Sequence, residues 1–525
     1  MSQARNPNNP PLRRLNWKEE YLTRHPESYS RLDYHLKAPP GCSLVDGFLN
    51  CWVGDLEPPW RHEALRMFLE RTGEKRSFPE ALRTFPSDKR CLAIVDDRSD
   101  PLAEVKYTCL DISPVRRWES QEYNRFPPKG LKARVYGADA EMLYNRLREK
   151  REGIAERRII YLVDLTPLMA LALISNVAYL HLPQMRSYLS KHVGFNTYMG
   201  ISQRRGFVLE FHLPHYVLRR DKRQLQDARG LRKHRYFRPP SEDEQNCIYE
   251  AQLSLIVLGE DDFFWTAYFC EDSYFTGGNP VHRYLEDQTD GPTGALRPCN
   301  RPIWDPRYYF LAVLSTRMEQ VTMEWTALVQ FMENYLDPHS EINPENLSKF
   351  LEDDPALKRT KEYTWVLCIL RRLRNSLAKL ISTWKAFDLN HSVYFDLDAE
   401  GNLQDHFREH FSFIRESTAE LGALHMILEH RIETLEKMSS LLVNASALAE
   451  SITATIQGDH IRLLTYITIL YLPMTLVTGA FSMNQVTADV AWWKYWVALV
   501  CLTGLTVGVA LGLQVFVPRW KKDSF

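Results

Sequence analysis

The sequence predicts an α+β membrane protein, in which a cytosolic α/β domain precedes a long stalk helix that continues into the first of two C-terminal transmembrane helices. Three observations support this class. Two long uncharged apolar runs lie near the C-terminus, a heptad repeat without proline leads into the first of them, and short strand-like segments occur in the N-terminal part. At 525 residues the chain is too long for one ordinary domain.

The two apolar runs have the length of transmembrane helices. Residues 463–481 form a 19-residue run without a charged side chain, and residues 495–517 form a second run of 23. A hydrocarbon core about 30 Å thick needs roughly 20 helical residues, and helices of soluble proteins are rarely apolar on every face. We therefore predict transmembrane helices over 463–484 and 495–517, joined by a short outer loop, 485–494.

The charges that flank the two runs predict their orientation. Arg462 precedes the first run and a basic tail, 518–525, follows the second, whereas the outer loop carries only Asp489 and Lys494. By the positive-inside rule, both termini are expected in the cytoplasm or its topological equivalent. The sequence thus predicts a multi-pass integral membrane protein, without indicating which membrane it occupies.

One face of the first apolar run carries polar or small side chains. Thr465, Thr468, Leu472, Thr475 and Gly479 recur at spacings of three and four, which places them on one stripe of a helix. A hydroxyl group finds no hydrogen-bond partner among lipid chains, whereas it finds one at a helix contact or in a water-filled lumen. Two interpretations follow: the threonines line a pore, or they join helices and bond to their own backbone.

The segment 405–462 is predicted to be the stalk helix. No proline occurs between residues 405 and 471. Heptads of this kind predict helices packed lengthwise, and a stalk fused to a membrane helix suggests a symmetric oligomer around the first span. The seven-residue repeat consists of Ile414, Leu421, Leu428, Leu435, Leu442, Ala449 and Ile456.

Three further segments precede the stalk. Residues 1–40 are polar and rich in Pro and Asn, which predicts a disordered tail. Residues 41–300 are predicted to form the α/β domain, with a mobile charged linker or surface loop at 218–245. Residues 301–404 are predicted to form amphipathic helices that flank the stalk. The predicted apolar face of the first of these helices consists of Phe310, Leu314, Met318, Val321, Trp325, Leu328 and Met332.

Several groups of acidic residues or histidines imitate metal sites. The acidic run 260–262 lies between two predicted strands, and we interpret it as a hairpin turn rather than a Mg²⁺ sensor. His406 and His410 have the spacing of metal ligands but lack a third ligand, so we predict an exposed helix face. Asp459 lies at the inner end of the first span, where it either forms a cation-attracting ring at the inner mouth or marks the membrane boundary.

Composition and motifs argue against other classes of protein. A net charge of −1 gives no reason to expect nucleic-acid binding. Nine scattered cysteines without a CxxC argue against a disulfide framework or a zinc ribbon. The sequence contains no Walker A loop, GxSxG or HExxH motif. We therefore expect neither an enzyme nor a resident cofactor.

These features, in this order, resemble the CorA family of divalent-cation channels. The stretch LTYITILYLPMTLVTGAFSMN is similar to the family's first transmembrane helix and its Gly-Met-Asn signature, which here reads Ser482-Met483-Asn484. The specific resemblance covers about residues 440–520, and it is strongest to a divergent fungal-type branch of the family.

The resemblance implies a homopentamer that passively conducts divalent cations, Mg²⁺ by default, driven by the membrane potential. It implies a pore lined by the first span at Thr468, Leu472 and Thr475, with a hydrated ion met by the carbonyl of Asn484 at the outer mouth. Asp489 is the only candidate for the family's acidic outer loop. Mg²⁺ would also be a regulatory ion, for which no residue of this sequence is identified.

Ser482 departs from the family signature. Glycine permits a positive φ and close backbone approach, which serine does only at a cost. The sequence therefore leaves three possibilities open: a Mg²⁺ channel, a channel for another ion such as Zn²⁺, Co²⁺ or Ni²⁺, and a membrane-anchored scaffold or sensor that retains the frame without conduction.

Overall fold

A computed structural model describes most of the chain, which divides into two compact units. One unit is Met1–Glu341 with Trp365–Thr434, and the other is Ile342–Thr364 with Leu435–Phe525. The described residues are 16–29, 36, 41–50, 62–73, 75–84, 92–98, 136–149, 157–203, 206–220, 225–236, 246–276, 278, 280–299, 301–340, 358–482 and 492–522.

The first unit is built on a mixed sheet. The strands are β1 (Ala93–Arg98), β2 (Tyr136–Ala138), β3 (Arg157–Val163), β4 (Tyr198–Ser202), β5 (Phe207–Arg220), β6 (His234–Tyr236), β7 (Asn246–Asp261) and β8 (Phe264–Glu271). Their order is β2-β1-β3-β8-β7-β5-β4, and β6 pairs with β7. The β3–β8 pair is parallel, and the other pairs in the described part of the chain are antiparallel.

Helices occur along the whole described chain, together with 3₁₀ helices at Glu19–Leu22, Glu70–Thr72, Tyr179–His181 and Ser392–Phe395. The α-helices are α1 (Pro26–Tyr29), α2 (Leu44–Asn50), α3 (Glu63–Leu69), α4 (Phe78–Thr84), α5 (Ala140–Arg148), α6 (Pro167–Asn176), α7 (Leu182–Val193), α8 (Pro280–Glu286), α9 (Pro306–Ser340), α10 (Lys358–His391), α11 (Asn402–Ser482) and α12 (Trp492–Lys522).

Both faces of the sheet are covered by helices. On one face, α2 to α7 share a hydrophobic core with sheet residues that include Ile160. On the other face lies α9, whose Phe310 and Trp325 rings are each 5.7 Å from an aromatic ring of β5, Phe211 and Tyr216 respectively. Because both faces are buried, β3 and β8 read in the sequence as nearly continuous apolar runs, whereas β5 and β7 also bury polar residues such as Glu210 and Gln252.

The predicted apolar face of α9 is confirmed. Its side chains are at most 1% exposed. The buried residues are Phe310, Leu314, Met318, Val321, Trp325, Leu328 and Met332.

The predicted unbroken stalk helix is confirmed as well. Helix α11 continues through the apolar run and includes Pro473. In the first unit, the heptad residues between 414 and 428 are buried, so this part of the repeat packs within the chain. In the second unit, Leu435 and Leu442 are buried, whereas Ala449 is exposed and Ile456 is 51% exposed, so the single chain leaves the last part of the repeat open.

The sequence predicts an exposed helix face for His410, and this prediction is wrong. Its Nδ1 lies 2.8 Å from Oγ of Ser315 on α9, and its side chain is buried. Burial lowers the pKa of His410 to about 4. His406, one turn earlier, stacks on the Tyr308 ring at 4.8 Å. The pair therefore joins α11 to α9, which the four-residue spacing alone could not indicate.

Part of the predicted disordered tail is ordered. Residues 16–29 contain a 3₁₀ helix and α1, and Tyr21 is buried. The rings of Trp17 and Tyr21 pack on Phe207 of β5, at 5.0 and 5.6 Å. The tail prediction is therefore wrong for this segment, because its aromatic residues find partners far away in sequence.

The charged segment 218–245 is also partly ordered. Arg229 and Arg232 are buried, and both bind the carboxylate of Asp272, with Nη1 and Nε at 2.9 and 2.5 Å from its two oxygens. The prediction of a mobile linker or surface loop is wrong for residues 225–236, because the charged side chains of Arg229 and Arg232 form buried ion pairs instead of facing solvent.

This ion-pair network controls the ionisation of Asp272. Burial alone would raise its pKa, but the guanidinium groups of Arg232 and Arg229 outweigh burial and hold that pKa well below its usual range. A carboxylate with a depressed pKa stabilises the fold above its unfolded-state pKa of about 3.9, and this stabilisation is lost as the pH falls further.

Replacing Asp272 by asparagine is expected to lower the free energy of unfolding by about 3–5 kcal/mol, because the buried guanidinium of Arg232 loses its carboxylate partner and that of Arg229 loses one of its partners. Thermal unfolding of the purified full-length protein at neutral pH measures this change. The control is Asp287→Asn, which breaks an exposed pair with Arg283 and is expected to cost less than about 1 kcal/mol. Equal destabilisation by the two variants would contradict the structural role of Asp272.

Candidate functional site

Two helices of the described chain are long and apolar enough to cross a membrane. Helix α11 contains a window of mean hydropathy 1.6, and the segment Trp493–Ala510 of α12 has a mean hydropathy of 1.4. Only 11% of the first window and none of the second is buried. Apolar helices with this much open surface are suited to lipid or to contact with other helices rather than to water.

The two apolar helices contact each other beside the residue that opens the signature. Oγ1 of Thr478 lies 3.3 Å from Oη of Tyr495, and the Phe481 ring meets the Tyr495 ring edge-on at 5.3 Å. Ser482 follows Phe481 directly and is the last residue of α11. Tyr495 therefore holds the final turn of α11 against the start of α12.

Partial burial marks the sides on which the two helices pack. In the apolar run of α11, the residues that are not exposed recur every four positions, at Ile469, Pro473, Val477 and Phe481. In α12, the half-buried residues are Tyr495, Ala498, Leu499, Leu502, Thr503, Thr506 and Ala510. Both series have helical spacing. Together with the Tyr495 contacts, they indicate that α11 and α12 pack along these sides.

The polar stripe of α11 lies on another side of the helix. Its members Thr465, Thr468, Leu472, Thr475 and Gly479 are all exposed, Leu472 by 65%. At 3.6 residues per turn, the centre of this stripe lies about 140° from the centre of the side that packs on α12. The second helix therefore leaves the stripe uncovered.

The threonine hydroxyls of the stripe bond to their own helix. Thr465, Thr468 and Thr475 each donate to a backbone carbonyl three or four residues earlier, at 2.7, 2.8 and 2.9 Å. The backbone bonding that the sequence left open is thus present. Each hydroxyl can still form further hydrogen bonds, since an oxygen that donates its one proton keeps lone pairs that can accept a hydrogen bond. These oxygens are acceptors on an open face.

The remaining predicted site residues are placed only in part. Ser482 is exposed, and Asp459 is exposed on α11, about one turn before the apolar run. Met483, Asn484 and Asp489 lie outside the described residues. The described side chains contain no group of three or more His, Cys, Asp or Glu that could hold a metal ion.

Sequence analysis did not identify Tyr495 as a site residue. An aromatic residue at the start of the second run was a visible signal, but its pairing with Phe481 depends on how the outer loop returns the chain. Two glycines of α12, Gly504 and Gly508, face away from α11, since both are exposed and a Cβ on either would meet no atom within 4 Å.

Comparison with solved structures gives only distant likenesses. The full-length CmaX protein is 14% identical over 68% of this chain and 88% of its own, with a TM-score of 0.31. The CorA magnesium transporter of Methanocaldococcus jannaschii is 11% identical over 69% of this chain and 92% of its own, with a TM-score of 0.30. The ZntB cytoplasmic domain of Vibrio parahaemolyticus is 9% identical over 57% and 93%, with a TM-score of 0.28.

These TM-scores are too low to carry an argument about fold or function, and no curated protein matches the chain. The family comparison is more direct. Residues 397–519 match the family model described as CorA-like Mg²⁺ transporter protein, a range that contains almost all of α11, the outer loop and most of α12. The stalk helix and the two apolar helices of the chain are therefore similar to the CorA-like Mg²⁺ transporter family over residues 397–519.

Proposed function

We propose that copies of this chain assemble into a channel for divalent metal cations, in which α11 of each copy turns its polar stripe toward a shared axis. One observation carries this proposal: in an apolar helix of membrane length, the stripe with hydroxyl groups is the side that α12 leaves uncovered. In lipid, the lone pairs that these hydroxyl oxygens keep would have no donor to accept from, whereas water in a lumen supplies one.

A single copy of α11 cannot enclose a lumen, so the proposal requires an oligomer. The exposed heptad residues Ala449 and Ile456 support contacts between equivalent helices below the apolar run. A homopentamer, with the first span innermost and both termini in the cytoplasm, is the arrangement that the family resemblance implies. We adopt it as part of the proposal.

Mg²⁺ is the proposed ion, because it prefers oxygen ligands and gives up its hydration water reluctantly. Rings of neutral acceptors at Thr468 and Thr475, with the Asn484 carbonyl at the outer mouth, would hold a hydrated dication without trapping it. A ring of Leu472 between them would gate the lumen by dewetting. Asp459 and Asp489 would raise the local cation concentration at the inner and outer ends.

Removing one ring of oxygens should separate a pore-lining role from a packing role. Thr475→Val is expected to reduce Mg²⁺ entry about tenfold or more, because each copy loses an acceptor worth about 1 kcal/mol at the same level of the lumen. Proteoliposomes that contain a fluorescent Mg²⁺ reporter measure this entry.

The matched control is Thr506→Val on α12. The Thr506 hydroxyl also bonds to its own backbone, at 2.9 and 3.1 Å, but lies on the side that packs against α11. This variant is expected to keep entry within about twofold of wild type, because it removes no acceptor from the lumen. Equal effects of both variants would argue that the stripe packs helices and lines no pore.

The signature is tested by Asn484→Ala and Ser482→Gly in the same assay. Loss of entry is expected in the first variant, because the carbonyl-bearing side chain at the outer mouth is removed. If wild type shows no Mg²⁺ entry and Ser482→Gly does, Ser482 prevents conduction by an otherwise intact channel. Silence of all variants toward Mg²⁺, Zn²⁺, Co²⁺ and Ni²⁺ would favour the membrane-anchored scaffold or sensor instead.

Tyr495 should act by positioning the signature. Tyr495→Phe keeps the ring contact with Phe481 and removes only the hydroxyl contact with Thr478, so it is expected to change Mg²⁺ entry less than about threefold, since one neutral hydrogen bond contributes about 1 kcal/mol or less. Tyr495→Ala removes both contacts and is expected to reduce entry further, with unchanged oligomer size on gel filtration. Full transport by the alanine variant would show that the contact does not position the signature.

A further inference from the structure

Residues 16–29, which we name the N-terminal strap, are held by two carboxylates of the β7–β8 turn. Asp261 accepts hydrogen bonds from Oη of Tyr29 at 2.6 Å and from a backbone N–H of the strap at 2.9 Å. Asp262 accepts from Nε1 of Trp17, at 3.2 and 3.3 Å from its two oxygens. The acidic turn that imitated an ion sensor in the sequence is therefore the anchor of the strap.

Arg307, at the start of α9, lies between the strap and the base of α11. Its guanidinium carbon is 4.9 Å from the centre of the Trp17 ring and 5.3 Å from that of Phe407, in the second turn of α11. Its Nη1 donates to the carbonyl of Tyr394 at 3.4 Å, in the 3₁₀ helix that precedes α11. Strap, arginine and stalk helix thus form one buried stack.

Two carboxylates face this single guanidinium group, and a third lies next to one of them. Asp305 accepts from Nη2 of Arg307 at 3.0 Å, and Asp262 lies 4.0 Å from the same nitrogen. Asp261 is next to Asp262 in the turn. These are the charged groups that face Asp262 from the turn, the strap and α9. The cluster therefore carries an excess of negative charge when all its carboxylates are ionised.

We propose that the strap is a proton-dependent clamp on the base of α11. The strap docks when Asp262 holds a proton and steadies the first turns of α11 through the Trp17–Arg307–Phe407 stack, and it loosens when rising pH removes that proton. The clamp itself does not depend on conduction. Its consequence for transport rests on the proposed function, because α11 carries the polar stripe.

The direction of the pH dependence follows from linkage. Burial, and then repulsion from Asp305, raises the pKa of Asp262 to about 7 in the docked state. An exposed aspartate titrates near 3.9. Docking therefore takes up a proton, so the docking equilibrium is most favourable in acid, falls as the pH rises from about 4 to 7, and levels off above that. Between pH 6 and 7.5 the expected fall is at most about eightfold.

Hydrogen exchange on the purified full-length protein tests the proton-dependent step. After correction for intrinsic exchange rates, strap peptides should open up to about eightfold more readily at pH 7.5 than at pH 6. Asp262→Asn stays neutral and keeps an acceptor for Trp17, so its strap should remain protected at both pH values. The exposed Asp287→Asn should behave as wild type. A pH-dependent strap in Asp262→Asn would overturn the assignment of the proton to Asp262.

Trp17→Ala tests the clamp on α11. Removing the indole should release the strap and increase exchange of peptides that cover 392–411, at both pH values. Unchanged exchange of that segment would overturn the clamp, since the strap would then be only a local attachment. Exchange is measured without ion flux, so failure of the clamp and failure of the channel are distinguished by measuring Mg²⁺ entry on the same variants.

Discussion

The structure depends on one constraint: α11 is a single helix whose surroundings change along its length, so that its surface must suit a packed core in one part and open apolar contact in another. Near its base, its heptad residues are buried within the first unit, and farther along its surface is apolar and open. A continuous helix satisfies its own backbone hydrogen bonds in both surroundings, which a single strand could not do within a bilayer. The side chains alone therefore decide what each stretch of α11 contacts.

Much of the fold could be predicted because periodicity is local. The buried face of α9 and the unbroken course of α11 follow from spacing along the chain. The ordered strap and the buried Arg229 could not be predicted in this way. Trp17 binds a carboxylate 245 residues away, and composition, which treats aromatic and charged residues as averages, contains no information about such pairs.

The candidate site also has features that spacing along the chain predicts and features that it does not. Spacing alone placed Thr465 to Gly479 on one stripe, and the structure keeps them there. Spacing could not show which side of α11 the second helix covers, because that depends on the packing of Ile469, Pro473 and Val477. It also could not identify Tyr495, whose partners precede an outer loop that reverses the chain.

The back-bonded threonines have a consequence for the sign of charge that the stripe can stabilise. Each hydroxyl of Thr465, Thr468 and Thr475 has its only proton committed to a carbonyl of its own helix. In this arrangement the oxygen presents lone pairs rather than a proton to the open face, so it accepts from water molecules that surround a cation and must give up its backbone bond before it can donate to chloride or phosphate. A passage lined in this way would reject anions without a single charged side chain along the stripe.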